Sequence, residues 1–247
     1  MNDITLIKLG GSLLDDPARR DAALQTIVAR WNGGENLVLV HGGGKHIDAR
    51  LAQLGIAKKT HAGLRITDDA TLDVVVSVLG GTVNKMLVSE LAKLGVRAAG
   101  ISGNDGATLV AAQHPPIDGV ALGHVGQVTG ANCTLVKAML TYGILPVVSS
   151  IAAGPAGTLL NVNADSAAAA LAVALRAKSL RFITDVAGVL DGNGTLVPRL
   201  AAADAEEFIG NVTGGMRPKL QAALTALGSG VREIVIGEEG GTTLVAA

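Results

Sequence analysis

The sequence predicts a doubly wound α/β fold, in which helices cover both faces of a mainly parallel sheet. Short apolar runs rich in leucine and β-branched residues alternate along the chain with longer segments of helical periodicity. Runs that stay apolar without alternation suit parallel strands, because both faces of a parallel sheet are buried. The 33 glycines among 247 residues favour tight turns between elements. The resulting β-α-β-α order is that of a doubly wound protein.

Strands and helices are predicted in alternation from the start of the chain. The predicted strands cover residues 4–9, 36–40, 96–101, 144–149, 180–184 and 232–236. The predicted helices cover residues 17–31, 44–54, 67–94, 132–142, 163–177 and 215–227. Asp16 and Pro17 are a typical N-cap and first helical residue, and Gly55 suits the end of the second helix. Thr67 is predicted to cap the long third helix, and Gly80-Gly81 to kink it.

Two stretches break this alternation. Residues 102–129 are rich in glycine and proline and predict antiparallel hairpins at one rim of the sheet. Residues 186–198 contain Asp191-Gly192-Asn193-Gly194, which is a turn sequence. We place a boundary between two lobes near Lys178, which gives an N-terminal lobe of residues 1–178 and a C-terminal lobe of residues 179–247.

Composition argues against several classes of function. The formal net charge of −1 suggests neither a nucleic acid nor an anionic membrane as partner, and the few aromatic residues argue against base stacking. Cys133 is the single cysteine, so an internal disulfide and a cysteine-based zinc site are excluded, and a small buried apolar residue is its simplest interpretation. A strand with Lys8 begins at once, unlike a secretory leader, and the apolar run 164–175 is too short to span a bilayer. We therefore expect a soluble cytoplasmic protein without nucleic-acid or membrane partners.

Two glycine runs directly follow predicted strands. Gly10-Gly11 follows the first strand, and Gly42-Gly43-Gly44 follows the second. Glycine N–H groups at the start of a helix bind anions such as phosphate. Neither run is a Walker A loop, since Lys45 is followed by His46, and no G-x-G-x-x-G sequence opens the first helix. Each run alone is equally well explained as a tight βα turn, but the pair at the ends of adjacent strands favours a phosphate site.

Lysines near both ends of the chain and one acid complete a candidate phosphoryl-transfer site. Lys8 closes an apolar strand, where a lysine is costly to bury unless it is paired or faces a site. Lys219 lies at the start of a predicted helix, and Asp165 can accept hydrogen bonds from both lysines. The alternatives are a solvated strand end for Lys8, a solvated helix start for Lys219 and a favourable helix-dipole position for Asp165. Together they indicate a small-molecule kinase, because phosphoryl transfer needs fixed cations and backbone N–H groups.

Nearby polar residues are candidates for binding a substrate. Asn161 and Asn163 precede an alanine-rich helix, for which Asn163 also fits the N-cap. Arg65 lies between apolar residues, and its guanidinium suits a carboxylate, although a rim arginine that covers apolar surface explains it equally well. His41 is interpreted as orienting the glycine loop through a backbone hydrogen bond. The histidines share no metal-ligand spacing, so we assign no metal ligand.

These motifs occur together in one known family. Over nearly its whole length, the chain resembles the amino acid kinase family. A set of motifs in the family order is far more specific than any single glycine loop. The motifs are Lys8-Leu9-Gly10-Gly11, His41-Gly42-Gly43-Gly44, Gly63-Leu64-Arg65-Ile66-Thr67, Ser102-Gly103-Asn104-Asp105-Gly106, Gly123-His124-Val125-Gly126, Asn161-Val162-Asn163-Ala164-Asp165, Thr184-Asp185-Val186-Ala187-Gly188-Val189 and Gly214-Gly215-Met216-Arg217-Pro218-Lys219.

The resemblance implies an open αβα sandwich with a mainly parallel central sheet and ATP-dependent phosphorylation of a carboxylate. Within the family, the motifs are most similar to those of members that phosphorylate the γ-carboxylate of N-acetyl-L-glutamate, the second step of arginine biosynthesis. ATP with Mg²⁺ is then the phosphoryl donor. The alternatives are a kinase for N-acetyl- or carrier-linked aminoadipate, with a substrate one methylene longer, and a non-catalytic ligand sensor of this fold. A dinucleotide-binding dehydrogenase is disfavoured by the missing glycine fingerprint.

The resemblance also implies a role for each motif residue. The two lysines neutralise the transferring phosphoryl group, Asp165 organises them, and N–H groups of the glycine loops hold phosphoryl oxygens. The implied catalytic residues are Lys8, Asp165, Lys219, Gly11 and Gly44. The implied substrate-binding residues are Gly43, Gly44, Arg65 and Asn161. The implied nucleotide-binding residues are Lys8, Gly10, Gly11, Thr184, Asp185, Gly188 and Lys219.

Oligomeric state and regulation are also addressed by the resemblance. It implies a homodimer, with the long helix that begins near Thr67 as the dimer surface. Seven residues precede Lys8, whereas arginine-inhibited members of the family usually carry an extra N-terminal helix. We therefore expect a protein that is insensitive to arginine.

Overall fold

The computed structural model describes residues 3–184, 186–212, 214–237 and 240–245. The strands are β1 (Ile4–Leu9), β2 (Asn36–His41), β3 (Thr60–His61), β4 (Leu64–Arg65), β5 (Ala98–Ser102), β6 (Val110–Gln113), β7 (Val125–Gly130), β8 (Leu145–Ser149), β9 (Ile151–Ala153), β10 (Leu159–Val162), β11 (Ser179–Ile183), β12 (Arg199–Ala201), β13 (Glu233–Ile236) and β14 (Thr242–Val245). The helices are α1 (Gly11–Asp15), α2 (Pro17–Asn32), α3 (Gly44–Gln53), α4 (Asp69–Val76), α5 (Asn84–Lys93), α6 (Thr134–Thr141), α7 (Ala164–Leu175), α8 (Ala202–Asn211) and α9 (Met216–Gly228).

An eight-stranded sheet in the order β12-β14-β13-β11-β1-β2-β8-β5 forms the centre of the protein. Its strand pairs are parallel except for β13 and β14, which are antiparallel. Helices α1 to α5 and α6 to α9 contribute to two separate apolar cores, one on each face. Successive side chains of a strand point to opposite faces, and in β1 Leu6 belongs to one core and Ile7 to the other. The mainly parallel αβα prediction is therefore confirmed.

A single long helical segment, Asp69–Lys93, joins α4 to α5. The predicted kink at Gly80-Gly81 falls in a π-helical stretch, Ser77–Val83, and such stretches are often found at functional sites. The N-cap prediction was wrong by one residue. Asp68 caps the helix by accepting a hydrogen bond from Thr71 N, whereas the Thr67 hydroxyl donates to Arg65 O and is not available for capping.

This long helix also has the length and apolar composition of a membrane span, with a mean hydropathy of 1.4 in its most apolar window, of which 44% is buried inside the protein. Val75, Leu79 and Leu87 of this segment belong to the apolar core on one face of the sheet. A core helix passes the same length and composition criteria as a membrane helix. The packing of its buried side accounts for part of its apolar character.

The predicted hairpins in residues 102–129 are present as an antiparallel pair, β6 and β7. The prediction did not include their partners β9 and β10, with which they close a barrel. It also missed α1, α8, β12 and β14. These elements are short or lie beside irregular segments, where too few residues are present for a periodic pattern. The turn predicted at Asp191 is confirmed, since its carboxylate accepts hydrogen bonds from Asn193 N and Thr195 N.

Candidate active site

The two glycine runs lie side by side at the carboxyl ends of β1 and β2. These strands are parallel, with Leu9 opposite His41, so both chains leave the sheet at the same edge. Helices α1 and α3 then begin at Gly11 and Gly44, and a Cβ added to Gly11 would lie 3.8 Å from the Gly44 amide nitrogen. The structure thus brings together the two candidate phosphate loops that the sequence predicted.

Close packing explains why two of these loop positions are glycine. A Cβ on Gly10 would lie 2.9 Å from the carbonyl oxygen of Ile183 on the neighbouring strand. A Cβ on Gly43 would lie 2.8 Å from Leu79 Cδ2 in the π-helical stretch. Real Cβ atoms do not approach other atoms so closely, so a larger residue at Gly10 would displace the backbone, and one at Gly43 would displace the buried Leu79 side chain. At Gly44, by contrast, a Cβ would meet no atom within 4 Å.

Lys8, Asp165 and Lys219 form a buried cluster beside these loops. Lys8 Nζ is 2.9 Å from Asp165 Oδ1, and Lys219 Nζ is 3.2 Å from the same oxygen and 3.3 Å from Oδ2. The three side chains are 9%, 8% and 7% exposed, in the order Lys8, Asp165, Lys219. Lys219 Nζ also lies 5.4 Å from the centre of the Phe182 ring. Three elements distant in sequence, β1, α7 and α9, thus place their charged groups at one point.

The charges of this cluster determine how Asp165 titrates. Burial by itself would raise the pKa of Asp165, but the positive charges and hydrogen bonds of Lys8 and Lys219 outweigh burial and lower the pKa below its ordinary value. Asp165 is therefore ionised at neutral pH. Two ammonium groups around one carboxylate leave an excess of positive charge, which can neutralise an incoming anion.

The start of α7 holds Asp165 in place. Asn163 is the N-cap, and its side chain accepts hydrogen bonds from Asp165 N and Ser166 N. Asp165 is thus in the first turn, where a negative charge is favoured by the helix dipole. The N-cap prediction for Asn163 is confirmed, and the capping leaves the Asp165 carboxylate directed at the lysines.

A cavity of about 330 Å³ extends from the lysine cluster to Arg65 and Asn161. The Arg65 guanidinium donates through Nη2 to Asp48 Oδ1 at 2.5 Å and to Gly44 O at 3.4 Å. Its Nη1 is buried, and no hydrogen-bond partner for it occurs among the described residues. Asn161 Nδ2 donates to Thr67 Oγ1 at 3.2 Å. The predicted substrate residues therefore border the same space as the predicted catalytic residues except Lys219, which contacts Asp165 but does not itself line the cavity.

Not all of the predicted nucleotide-binding residues lie beside the glycine loops. Thr184 is buried at the end of β11, and its Cα would lie 3.3 Å from a Cβ on Gly10, so it adjoins the first glycine loop. Gly188 packs against β14, where a Cβ would lie 2.9 Å from Thr242 N. This contact by itself explains a glycine there. Asp185 lies outside the described residues.

A second and larger cavity of about 780 Å³ lies along α7, between β7 and α9. It is bordered by Asn163 and Pro218 near the lysine cluster, but Lys8, Asp165, Lys219 and Arg65 do not line it. We place the chemistry in the smaller cavity, because the buried charges and both glycine loops meet there. Among the described residues, no group of three or more His, Cys, Asp or Glu side chains is positioned to hold a metal ion.

Sequence reasoning missed two residues that support this site. Asn84, fully buried, donates to His41 Nε2 at 3.1 Å and to Val147 O at 3.0 Å. His41 Nδ1 in turn donates to Gly42 O at 2.8 Å, as the sequence suggested, and burial lowers the pKa of His41 from 6.5 to about 4, so the ring is neutral. Asp48 is the second missed residue. The sequence offered one signal for each residue. Asn84 is an amide that follows Gly80-Gly81 in an apolar helix, and Asp48 is an acid one turn after Gly44.

Comparisons with known proteins identify the family to which this chain belongs. A sequence profile of the amino acid kinase family matches residues 3–238. An acetylglutamate kinase of Solibacter usitatus is 41% identical over 258 residues, covering 98% of this chain and 99% of the relative. An acetylglutamate kinase of Methanopyrus kandleri is 44% identical over 239 residues, covering 94% and 93%. The crystal structure of smu.665 from Streptococcus mutans UA159 has a TM-score of 0.88 and 31% identity, covering 99% of each chain. By sequence and by fold, the chain belongs to the amino acid kinase family.

Proposed function

We propose that this protein transfers a phosphoryl group from ATP to the γ-carboxylate of N-acetyl-L-glutamate, the second step of arginine biosynthesis. The proposal depends chiefly on one observation, the convergence of Lys8 and Lys219 on Asp165 beside two glycine loops. Relatives 41% and 44% identical to this chain over nearly its full length are named acetylglutamate kinase. A non-catalytic sensor of this fold is disfavoured, because all three charged residues are present and in contact.

The charges of the site match the demands of this reaction. The acceptor carboxylate is ionised at neutral pH, so the step needs no strong general base. Its difficulty lies in bringing two anions together, which fixed cations and N–H groups make easier. In the proposal, Lys8 and Lys219 neutralise the phosphoryl group, and N–H groups of Gly11 and Gly44 hold its oxygens. Asp165 keeps the two ammonium groups at fixed positions.

Arg65 and Asn161 are proposed to bind the α-carboxylate of the substrate, with Gly43 and Gly44 beside it. The buried Arg65 Nη1 has no hydrogen-bond partner among the described residues, and it is a donor of the kind that a carboxylate satisfies. Leaving such a group unpaired costs free energy. A bound carboxylate would remove that cost, which supports this part of the proposal.

MgATP is the proposed second substrate, bound by Lys8, Gly10, Gly11, Thr184, Asp185, Gly188 and Lys219. The contact of Thr184 with Gly10 supports this placement for the phosphate end. Both oxygens of Asp165 contact lysine, so Mg²⁺ is expected to be bound by the phosphates of ATP, not by a set of protein carboxylates. Residues 1–178 are proposed as the lobe for the acyl amino acid and for dimerisation, and residues 179–247 as the nucleotide lobe.

A cytoplasmic homodimer is proposed, with Asp69–Lys93 at the dimer interface. Only 44% of the most apolar window of this helix is buried within one protein chain, and a second copy would cover more of it. Sedimentation equilibrium across a range of protein concentrations tests this proposal. A monomer at every concentration would contradict it.

Acyl phosphate formation tests the proposed activity directly. Purified protein is incubated with MgATP and N-acetyl-L-glutamate, and hydroxylamine traps the product as a hydroxamate. Parallel reactions contain N-acetyl-aminoadipate, glutamate or carbamate, because one extra methylene changes discrimination by only about 1–3 kcal/mol. Each reaction is repeated with arginine, which tests for feedback inhibition. Failure to form hydroxamate from N-acetyl-L-glutamate would contradict the proposal.

A further inference from the structure

Arg65 lies on a small element that cannot fix its own position. Strands β3 and β4 form a two-stranded hairpin in which Thr60 pairs with Arg65 and His61 with Leu64. An isolated two-stranded hairpin is marginally stable at best. A guanidinium that binds substrate must be held within a fraction of an ångström of its working position. Contacts from the rest of the protein must therefore hold this arginine.

Asp48 supplies the charged contact. It lies on α3, one helical turn after Gly44, so it projects from the helix that starts at the second glycine loop. Its Oδ1 accepts a hydrogen bond from Arg65 Nη2, and its Oδ2 accepts one from Lys58 Nζ at 2.8 Å. One carboxylate thus contacts the hairpin segment twice, just before β3 and on β4.

The two terminal nitrogens of the Arg65 guanidinium, Nη1 and Nη2, have different environments. Nη2 is engaged by Asp48 and by Gly44 O, whereas Nη1 is buried without a hydrogen-bond partner in the described part of the chain. The Arg65 side chain is 12% exposed, and Arg65 borders the cavity that Lys8 and Asp165 also line. Asp48 therefore fixes one side of the planar guanidinium, while the buried Nη1 on the other side keeps an unused hydrogen-bond donor.

Asp48 is in the correct charge state for this task. Burial by itself would raise the pKa of Asp48, but hydrogen bonds from Lys58 and Arg65 outweigh burial and lower it below its ordinary value. The carboxylate is thus ionised at neutral pH, which makes its hydrogen bond to Arg65 charge-assisted on both sides. The Lys58 side chain is 51% exposed and the Arg65 side chain 12%, so solvent screens the contact of Lys58 with Asp48 more than that of Arg65.

We infer that Asp48 is a positioning residue for the acceptor substrate and does not contact that substrate. It anchors Arg65 to α3 and so holds the carboxylate-binding arginine beside the Gly44 loop. This inference depends on the proposed function, because it assigns Arg65 to the substrate carboxylate. It predicts an effect on the acceptor substrate that nucleotide binding does not share.

Asp48→Asn is the principal test, since it removes the charge at nearly constant volume. We expect the KM for N-acetyl-L-glutamate to rise roughly tenfold, a common loss when the partner of a ligand-binding residue is removed. The KM for ATP and kcat should stay within about twofold of wild type. The matched control is Lys58→Ala, which removes the other partner of Asp48 and should leave all three constants nearly unchanged. Asp48→Glu, which retains the charge, should recover part of the loss.

Two further measurements separate positioning from a general structural effect. Thermal stabilisation by N-acetyl-L-glutamate alone should be smaller in Asp48→Asn, while stabilisation by ATP should not change. In an Arg65→Ala background, Asp48→Asn should have little additional effect on acceptor KM, because the residue through which Asp48 acts is absent. If Asp48→Asn does not fold, Asp48→Ser, which also removes the charge, takes its place in both measurements.

The possible results are distinguishable. An unchanged acceptor KM in Asp48→Asn, or an effect of the same size in the Arg65→Ala background, would overturn the inference while wild-type kinase activity stands. An equal loss for both substrates would also overturn it. Wild-type protein that forms no acyl phosphate from N-acetyl-L-glutamate would instead overturn the proposed function, on which the inference depends.

Discussion

Lys8 and Lys219 share a single oxygen atom, Asp165 Oδ1, at 2.9 and 3.2 Å respectively. One lysine comes from the first strand of the chain and the other from the last helix. They meet because β1 lies within the central sheet and α9 packs beside α7. Each residue of this cluster is buried, so loss of any one changes both the charge of the site and the balance of charge in the interior.

Lys8→Ala is expected to reduce kcat by about 10²–10³, as for other removed transition-state donors. The remaining Lys219 and Asp165 compensate each other, so the excess positive charge is lost while the fold is retained. Steady-state kinetics and circular dichroism measure the two effects. The control is Lys45→Ala, which removes a lysine that is 69% exposed and directly follows the second glycine run. Wild-type turnover by Lys8→Ala would falsify the role assigned to Lys8.

Asp165→Asn is expected to lower the free energy of unfolding by about 3 kcal/mol, because two buried ammonium groups lose their counter-charge. Chemical denaturation measures this change. Adding Lys8→Met restores the original net charge of the cluster and should recover part of the stability without recovering activity. If the double variant is no more stable than Asp165→Asn, charge imbalance is not the cause of the loss.

Adjacent glycines should respond differently to alanine. Gly43→Ala places a methyl group 2.8 Å from Leu79 Cδ2, so it should lower the free energy of unfolding by about 1–3 kcal/mol. Gly44→Ala meets no protein atom within 4 Å, so its melting temperature should match that of wild type. Gly44 borders the cavity, and its added methyl group should still reduce kcat/KM. Equal melting temperatures for the two variants would contradict this assignment of the loop.

His41 should make stability depend on pH in a defined interval. Burial lowers its pKa from 6.5 in the unfolded chain to about 4 in the folded protein. As pH falls from 6.5 to 4, the unfolded chain takes up a proton that the folded protein does not, so stability falls. At about 1.4 kcal/mol per pH unit, this contribution is about 3 kcal/mol, and it is constant above and below the interval.

Chemical denaturation between pH 7 and pH 4 checks this expectation, with His41→Gln as the comparison. Glutamine does not titrate, so the variant should show a shallower decline in the free energy of unfolding than wild type. The slopes are compared, and any constant loss of stability in the variant does not affect the result. Parallel curves for the two proteins would rule out a contribution from His41.

Much of the fold follows from local pattern. The strands β1, β2, β8 and β11 were predicted because each is a short apolar run, as burial on both faces of a parallel sheet requires. The elements β9, β10 and β12 were missed, because three or four residues carry too little periodicity to distinguish a strand from a loop. Their positions depend on pairing with partners elsewhere in the chain.

In the candidate site, too, some residues were predictable from local sequence and others were not. Lys8, Asp165, Lys219 and Arg65 were predicted because each is a charged residue at a strand end, a helix start or within an apolar stretch, and because each lies in a motif that resembles those of the family. Asp48 and Asn84 lie in no such motif, and their roles consist of contacts with Arg65 and His41. Local sequence does not specify such contacts between distant segments.

By itself, the sequence determined the strand–loop–helix units and the kinds of charged residue at their ends, because backbone preference and burial periodicity are properties of neighbouring residues. Only the tertiary structure decided that two lysines share one oxygen of Asp165, and that Arg65 Nη2 is held by Asp48 while its Nη1 has no hydrogen-bond partner among the described residues. Those relationships arise when parallel strands end at a common edge and helices stack across it, which places groups from remote segments within hydrogen-bonding distance.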